Sequence, residues 1–125
     1  MLKFQPKKGD IVWCNFSGYI IPEMVKRRPV IIIKKHKHNS KLVYVLPISN
    51  LSPENVKSHH YRLDDEFCIK FFNDKEHWIK IDMIYTVSID RLDRVKTLDG
   101  ERMIPTVDTD TLEEIISKFK KYYSI

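Results

Sequence analysis

Arg28 closes a run of three cations, Lys26-Arg27-Arg28, and is followed at once by Pro29 and the β-forming residues Val30-Ile-Ile-Ile33. The proline biases Arg28 toward an extended backbone, and the apolar run behind it would hold the guanidinium still. A fixed guanidinium forks onto two phosphate oxygens and keeps its charge. Ser49 directly follows the apolar run Leu42–Ile48. If that run forms a hairpin with the strand after Arg28, the hydroxyl comes near the guanidinium. Lys80-x-Asp82 would set an amine and a carboxylate on one side of a strand, because strand side chains alternate. Together these residues point to a phosphate site. Ser49 reads equally well as a turn former, and Lys80 with Asp82 as a surface ion pair.

Other chemistries find less support. His36-x-His38 and the adjacent His59-His60 lack the paired spacing of a structural zinc site, and neighbouring strand residues face opposite ways. The expectation is therefore no metal and no cofactor. With three glycines in the chain there is no glycine-rich phosphate loop, and the S-G and S-P pairs form no nucleophile elbow. Cys14 and Cys68 lie far apart and read as buried thiols of a cytoplasmic protein.

The charge distribution agrees with an anionic partner. The 125 residues carry a net charge of +5, from 22 Lys and Arg against 17 Asp and Glu. Met24 to Pro53 holds seven Lys or Arg and no carboxylate, while 15 of the 17 acidic residues lie from Glu54 onward. Such segregation makes one face positive and steers polyanions such as nucleic acid. No apolar run nears the roughly 18–20 residues that span a bilayer, and no secretion signal is evident at the N-terminus.

The positioning elements follow from pattern. Residues 1–125 read as one domain of many short strands. After a Gly9-Asp10 turn, Ile11–Phe16 is a first strand, Val30–Lys35 a second and Leu42–Ile48 a third. His36–Lys41 is the turn between the last two. His60–Leu63, Phe67–Phe72 and Trp78–Val87 supply further strands. From Val107 the period changes, and Leu112, Ile115, Ile116, Phe119 and Tyr123 share one helical face, with Asp110 and Glu113 as a capping box. A mainly β, strongly curled, barrel-like sheet covered by a C-terminal amphipathic helix is the predicted architecture.

In this order the features resemble the MazF/PemK (Kid) family of toxin endoribonucleases. Pro6-Lys-Lys-Gly-Asp-Ile-Val-Trp13 resembles the family's opening strand, and Glu23 with Arg28-Pro29 repeats its E-x4-R-P pattern. Leu46-Pro-Ile-Ser-Asn50 sits where members carry a strand ending in Thr or Ser. His60-Tyr-Arg-Leu63 is similar to its H-V-x-[IL], and Lys80-Ile-Asp-Met-Ile-Tyr-Thr-Val87 with Arg91-Leu92 is similar to its closing segment. Lys80, Met83 and Tyr85 depart from residues that are common there.

The resemblance implies a small SH3-like β-barrel of the CcdB/MazF type. It implies a homodimer, metal-independent, sequence-specific cleavage of single-stranded RNA at short sequences, and an antitoxin peptide that blocks the groove. Arg28 and Ser49 match the family's catalytic pair, and Lys80 and Asp82 match its acid and base. Arg28 would steady the crowded phosphorane and Ser49 would orient the phosphate. Asp82 would take the 2′ proton and Lys80 would supply one, with His60 able to replace either. Glu23 flanks the groove, Lys26 and Arg27 gather the polyanion, and Lys35 and Lys37 contact backbone phosphates. Tyr19, Phe16 and Tyr61 are candidates for stacking bases. Two rival readings are a non-catalytic RNA-binding barrel and a CcdB-like poison of gyrase.

Overall fold

The computed structural model describes residues 1–124. The strands are β1 (Ile11–Asn15), β2 (Arg27–Lys35), β3 (Leu42–Ser49), β4 (His60–Arg62), β5 (Trp78–Lys80), β6 (Tyr85–Ser88), β7 (Leu92–Asp93), β8 (Val95–Lys96) and β9 (Arg102–Met103). Helix α1 (Asp65–Phe72) interrupts them and α2 (Thr109–Tyr122) ends the chain. Seven strands form an antiparallel sheet ordered β4-β5-β3-β2-β1-β7, with β6 also on β3, and β8 pairs with β9 apart from it. The mainly β architecture with a C-terminal amphipathic helix is the predicted one.

Strand β3 organises the sheet. Along one edge it pairs with β2, and along the other it pairs first with β6 through Leu42–Val45 and then with β5 through Ile48–Ser49. A strand that changes partner partway must bend, and a register shift between Ile32 and Lys34 of β2 bends its neighbour too. The sheet thereby acquires two buried faces, which explains the unbroken apolar run of β2. One face, with Ile11, Ile31, Leu46, Ile48 and Ile79, packs beneath α1 and α2. The other, with Val12, Val30, Ile32, Val45 and Phe16, closes on itself around Leu2 and Leu92.

The Gly9-Asp10 turn locks the ends together. Gly9 has φ +88°, a conformation that other residues adopt at a cost. Its N–H donates to the Ile32 carbonyl at 2.7 Å, and its carbonyl accepts from Val107 N at 3.0 Å. The Asp10 carboxylate accepts from Lys7 Nζ and Thr106 Oγ1. The start of β1 is thus tied to the segment that leads into α2.

Two expectations need correction. Phe67–Phe72 is helical rather than extended: Asp64 caps α1 by accepting from Phe67 N at 3.1 Å, and Asp65 and Glu66 sit in its first turn. Asn73, left-handed at φ 59°, closes it on the Ile69 carbonyl. These caps and the burial of Cys68 and Phe71 on one helical face outweigh the strand preference of Phe and Ile. In α2 the cap is Asp108, which accepts from Thr111 N at 2.7 Å, two residues before the expected Asp110. Its apolar face is as predicted, with Leu112, Ile115, Ile116, Phe119 and Tyr123 all packed on the first core. No helix among the described residues is long and apolar enough to cross a membrane.

Candidate active site

The site residues come together through strand register. Val30 pairs with Pro47 across β2 and β3, and the same register carried on by two residues sets Arg28 opposite Ser49. Ser49 in turn pairs with Trp78, and Trp78 with Arg62. Opposed residues of antiparallel strands share a face, so Arg28, Ser49, Trp78 and Arg62 form one row across four strands. His60 pairs with Lys80 in the next row on that face. Arg28 and Lys80 therefore stand two strands apart, about 10–12 Å between backbones. Two long cationic side chains span such a gap and can close on one phosphate from either side.

Arg28 is half-buried at the start of β2. Lys26 turns the chain into the strand with φ 75°, and Phe16 N donates to its carbonyl. Arg27 projects to the opposite face and lies over the Trp13 ring at 4.9 Å. Arg28 Nε is buried without a hydrogen-bond partner. Leaving such a donor unpaired costs about 1–3 kcal/mol. Ser49 is buried at the end of β3, and its Oγ accepts from Leu51 N at 3.2 Å. It is a turn former, and its hydroxyl proton is still free to be donated.

Beside Arg28 lies a cavity of about 180 Å³ whose lining includes Trp13, Asn50, Phe72, Asp74 and His77. His77 is only 6% exposed, and its Nδ1 is a second buried atom without a partner. Burial pulls its pKa below the ordinary histidine value, partly offset by the nearby Asp74 carboxylate. Its ring lies 4.5 Å from Phe72.

Lys80 and Asp82 do not share a strand, contrary to expectation. Strand β5 ends at Lys80, and Asp82 follows in a turn. Asp82 Oδ2 instead faces His59 Nε2 at 3.9 Å, and the His59 ring lies 5.2 Å from Tyr122 at the end of α2. Tyr123 secures the same turn: its hydroxyl donates to the Ile81 carbonyl at 2.6 Å and accepts from Ile84 N at 3.3 Å. The His60 ring sits 4.2 Å from that of His59, and its Nδ1 accepts from Lys57 N at 2.9 Å. That bond places the proton of a neutral His60 on Nε2. Burial first, then the neighbouring His59, lowers the His60 pKa despite Asp82, so the neutral ring predominates at pH 7.

The remaining candidates are more scattered. Glu23 accepts from Ile20 N at 2.9 Å and so braces its own loop. Lys26 and Arg27 are exposed beside Arg28, but Lys35 stands at the other end of β2, roughly 20 Å away along the strand. Lys37 lies beyond it in the turn. Phe16 is fully buried and is not available to a base. Tyr61 donates to Glu114 of α2, and Tyr19 packs between Arg91 and Tyr85. Both thiols are buried as expected, with their pKa values pushed up to about 12 by desolvation. Among the described residues no three His, Cys, Asp or Glu side chains converge to hold a metal.

Sequence reasoning missed Trp78, Glu76 and His77. Trp78 was within reach, since it shares a face with Lys80 by simple alternation. Its Nε1 donates to the Glu76 carboxylate at 2.9 Å, and the Ser52 hydroxyl donates to the same oxygen. These bonds, from Ser52 and then Trp78, lower the Glu76 pKa and fasten the loop after Ser49 over the indole. Nothing in the sequence spacing marks His77, because its neighbours come from β1, β3 and α1.

Comparison with known proteins identifies the family and the fold. The sequence profile described as "PemK-like, MazF-like toxin of type II toxin-antitoxin system" matches residues 7–123. The putative uncharacterized protein YifN of Escherichia coli K12 is 29% identical over 119 residues, covering 79% of each chain. An uncharacterized Haemophilus influenzae protein is 32% identical over 101 residues, 70% of this chain and 69% of that one. Among solved structures, MazF from Deinococcus radiodurans superposes with a TM-score of 0.71 over 98% of this chain and 100% of its own, at 17% identity. A mycobacterial endoribonuclease in complex with its cognate antitoxin superposes with a TM-score of 0.60 over 93% of this chain and 92% of its own, at 16% identity. At such identities the superpositions establish the shared fold.

Proposed function

This chain belongs to the PemK-like, MazF-like toxin family of type II toxin–antitoxin systems, and we propose that it is a metal-independent endoribonuclease acting on single-stranded RNA. The observation that supports this most is the register that sets Arg28, with an unpaired Nε, opposite Ser49 and one row from Lys80 and His60.

RNA carries its own nucleophile. The 2′-OH attacks the adjacent phosphorus and gives up its proton, the P–O5′ bond breaks, and the leaving oxygen takes a proton. The products are a 2′,3′-cyclic phosphate and a 5′-OH. Arg28 binds the phosphate and stabilises the charge that builds on its oxygens. Ser49 donates to one of those oxygens. Asp82 is the base and Lys80 the proton donor. His60, neutral with its proton on Nε2, is a hydrogen-bond donor beside Lys80. Lys26 and Arg27 hold the flanking backbone without reading sequence. By the same reading the protein is a cytoplasmic homodimer, and a cognate antitoxin peptide silences it by covering the row.

The test is incubation of purified protein with long single-stranded RNA in excess EDTA, beside Arg28→Ala. Discrete fragments with 5′-OH ends are expected from wild type, with the variant slower by about 100–1000-fold. Intact RNA from folded, antitoxin-free protein would sink the proposal. Salt-sensitive binding without cleavage would then favour a non-catalytic barrel, and inhibition of gyrase a protein-directed poison.

A further inference from the structure

The cavity beside Arg28 has a use that phosphate chemistry does not require. Its volume is about 180 Å³, and an engineered protein cavity of about 150 Å³ accepts benzene. It is therefore the size of one six-membered ring. Its aromatic lining is Trp13, with the Arg27 guanidinium over the ring at 4.9 Å, and Phe72, whose ring lies 4.5 Å from that of His77. His77 carries the unpaired Nδ1, and the exposed Asn50 and Asp74 stand among the lining residues. Arg27 and Arg28 are themselves lining residues, so whatever enters lies next to both guanidinium-bearing residues at the start of β2.

We propose that this cavity is a subsite for a single pyrimidine base, cytosine above uracil, of the nucleotide whose phosphate sits on Arg28. The inference rests on the endoribonuclease reading and adds a base preference to it. Unstacked RNA bases are held between aromatic side chains and read along their polar edges. An amide such as Asn50 offers both a donor and an acceptor to that edge. The Asp74 carboxylate is an acceptor alone and matches the exocyclic amine of cytosine rather than the O4 of uracil. A two-ring purine is larger than this space and would leave part of its rings outside the walls.

The experiment is a titration of the whole protein with cytidine, uridine and adenosine 3′-monophosphates, following the Trp13 indole and His77 ring resonances by NMR. These probes supply phosphate and base together and require no cleavage. Cytidine 3′-monophosphate is expected to move both resonances and to bind at least tenfold more tightly than the adenosine compound. Asn50→Ala and Asp74→Ala alter exposed side chains and should keep the fold. Each should weaken cytidine binding about fivefold, by loss of a polar contact at the base edge, and Asp74→Ala should erase the margin over uridine. Equal affinity for purine and pyrimidine, or no movement of these resonances, overturns the proposal. So does movement with phenylalaninamide but with no nucleotide, which would assign the cavity to a protein side chain. RNA cleavage without pyrimidine bias beside the cut would sink the subsite alone. Nucleotide binding without any cleavage would sink the enzyme reading and leave the subsite standing.

Discussion

The Tyr85 hydroxyl accepts a hydrogen bond from the Met24 backbone N–H at 2.6 Å, which ties β6 to the loop that delivers Arg28. The same ring packs against Phe16 at 5.1 Å and Tyr19 at 5.4 Å. Arg91 completes the clasp by donating to the Asn15 and Ser17 carbonyls. Tyr85 is thus a structural fastener of this chain.

Removing that single oxygen tests the fastener. Tyr85→Phe keeps the ring contacts but leaves the Met24 N–H without its acceptor. Stability should fall by about 0.5–1.5 kcal/mol, read as a lower urea midpoint. RNA cleavage should fall several-fold, because the loop before Arg28 loosens. Unchanged activity in a destabilised protein would detach the loop from the site.

Arg28→Lys separates charge from shape. Lysine restores a cation at the mouth of β2 but has no planar fork for two phosphate oxygens. The variant should recover less than a tenth of wild-type cleavage, while RNA binding at low salt stays close to normal. Full recovery would reduce Arg28 to a point charge.

His77 predicts a direction for stability against pH. Burial lowers its pKa in the folded protein below the ordinary 6.5, so the unfolded chain takes up the proton more readily. Stability is then complete above about pH 6.5 and declines as pH drops toward the folded pKa. His77→Phe removes this contribution, while His60, shifted the same way, remains in both proteins. Between pH 8 and pH 5 wild type should lose more stability than the variant in urea titrations. Equal losses would count against a buried, neutral His77.

Two glycines with similar backbones should respond unequally. Gly9 has φ +88° and Gly18 has φ +95°. An added Cβ at Gly18 meets nothing within 4 Å, whereas at Gly9 it comes within 3.3 Å of Leu112 on α2. Either alanine costs about 1–2 kcal/mol for the left-handed conformation. Gly9→Ala should cost more, because it also crowds the Leu112 side chain, and thermal melts of the two variants compare them directly.

Much of this protein is written in local chemistry. The apolar runs specified β1, β2 and β3, and the 3.6-residue period specified the face of α2, because each pattern is a property of a few neighbouring residues. The E-x4-R-P stretch singled out Arg28 for a similarly local reason, a cation wedged between a proline and a core strand. Helix α1 was misread although its caps, Asp64 and Asn73, stand in plain view. Its Phe and Ile residues favour strands, and only burial against the first core settled the contest. What the chain order left open was assembly. A row that joins Arg28, Ser49, Trp78 and Arg62 exists because β3 changes partner from β6 to β5, and a slip of one residue would turn every one of these side chains to the other face. Asp82 next to His59, and His77 in the cavity of Arg28, depend on that same register and on where α1 and α2 pack. Register is set by the fit of whole faces, which no short stretch of sequence contains.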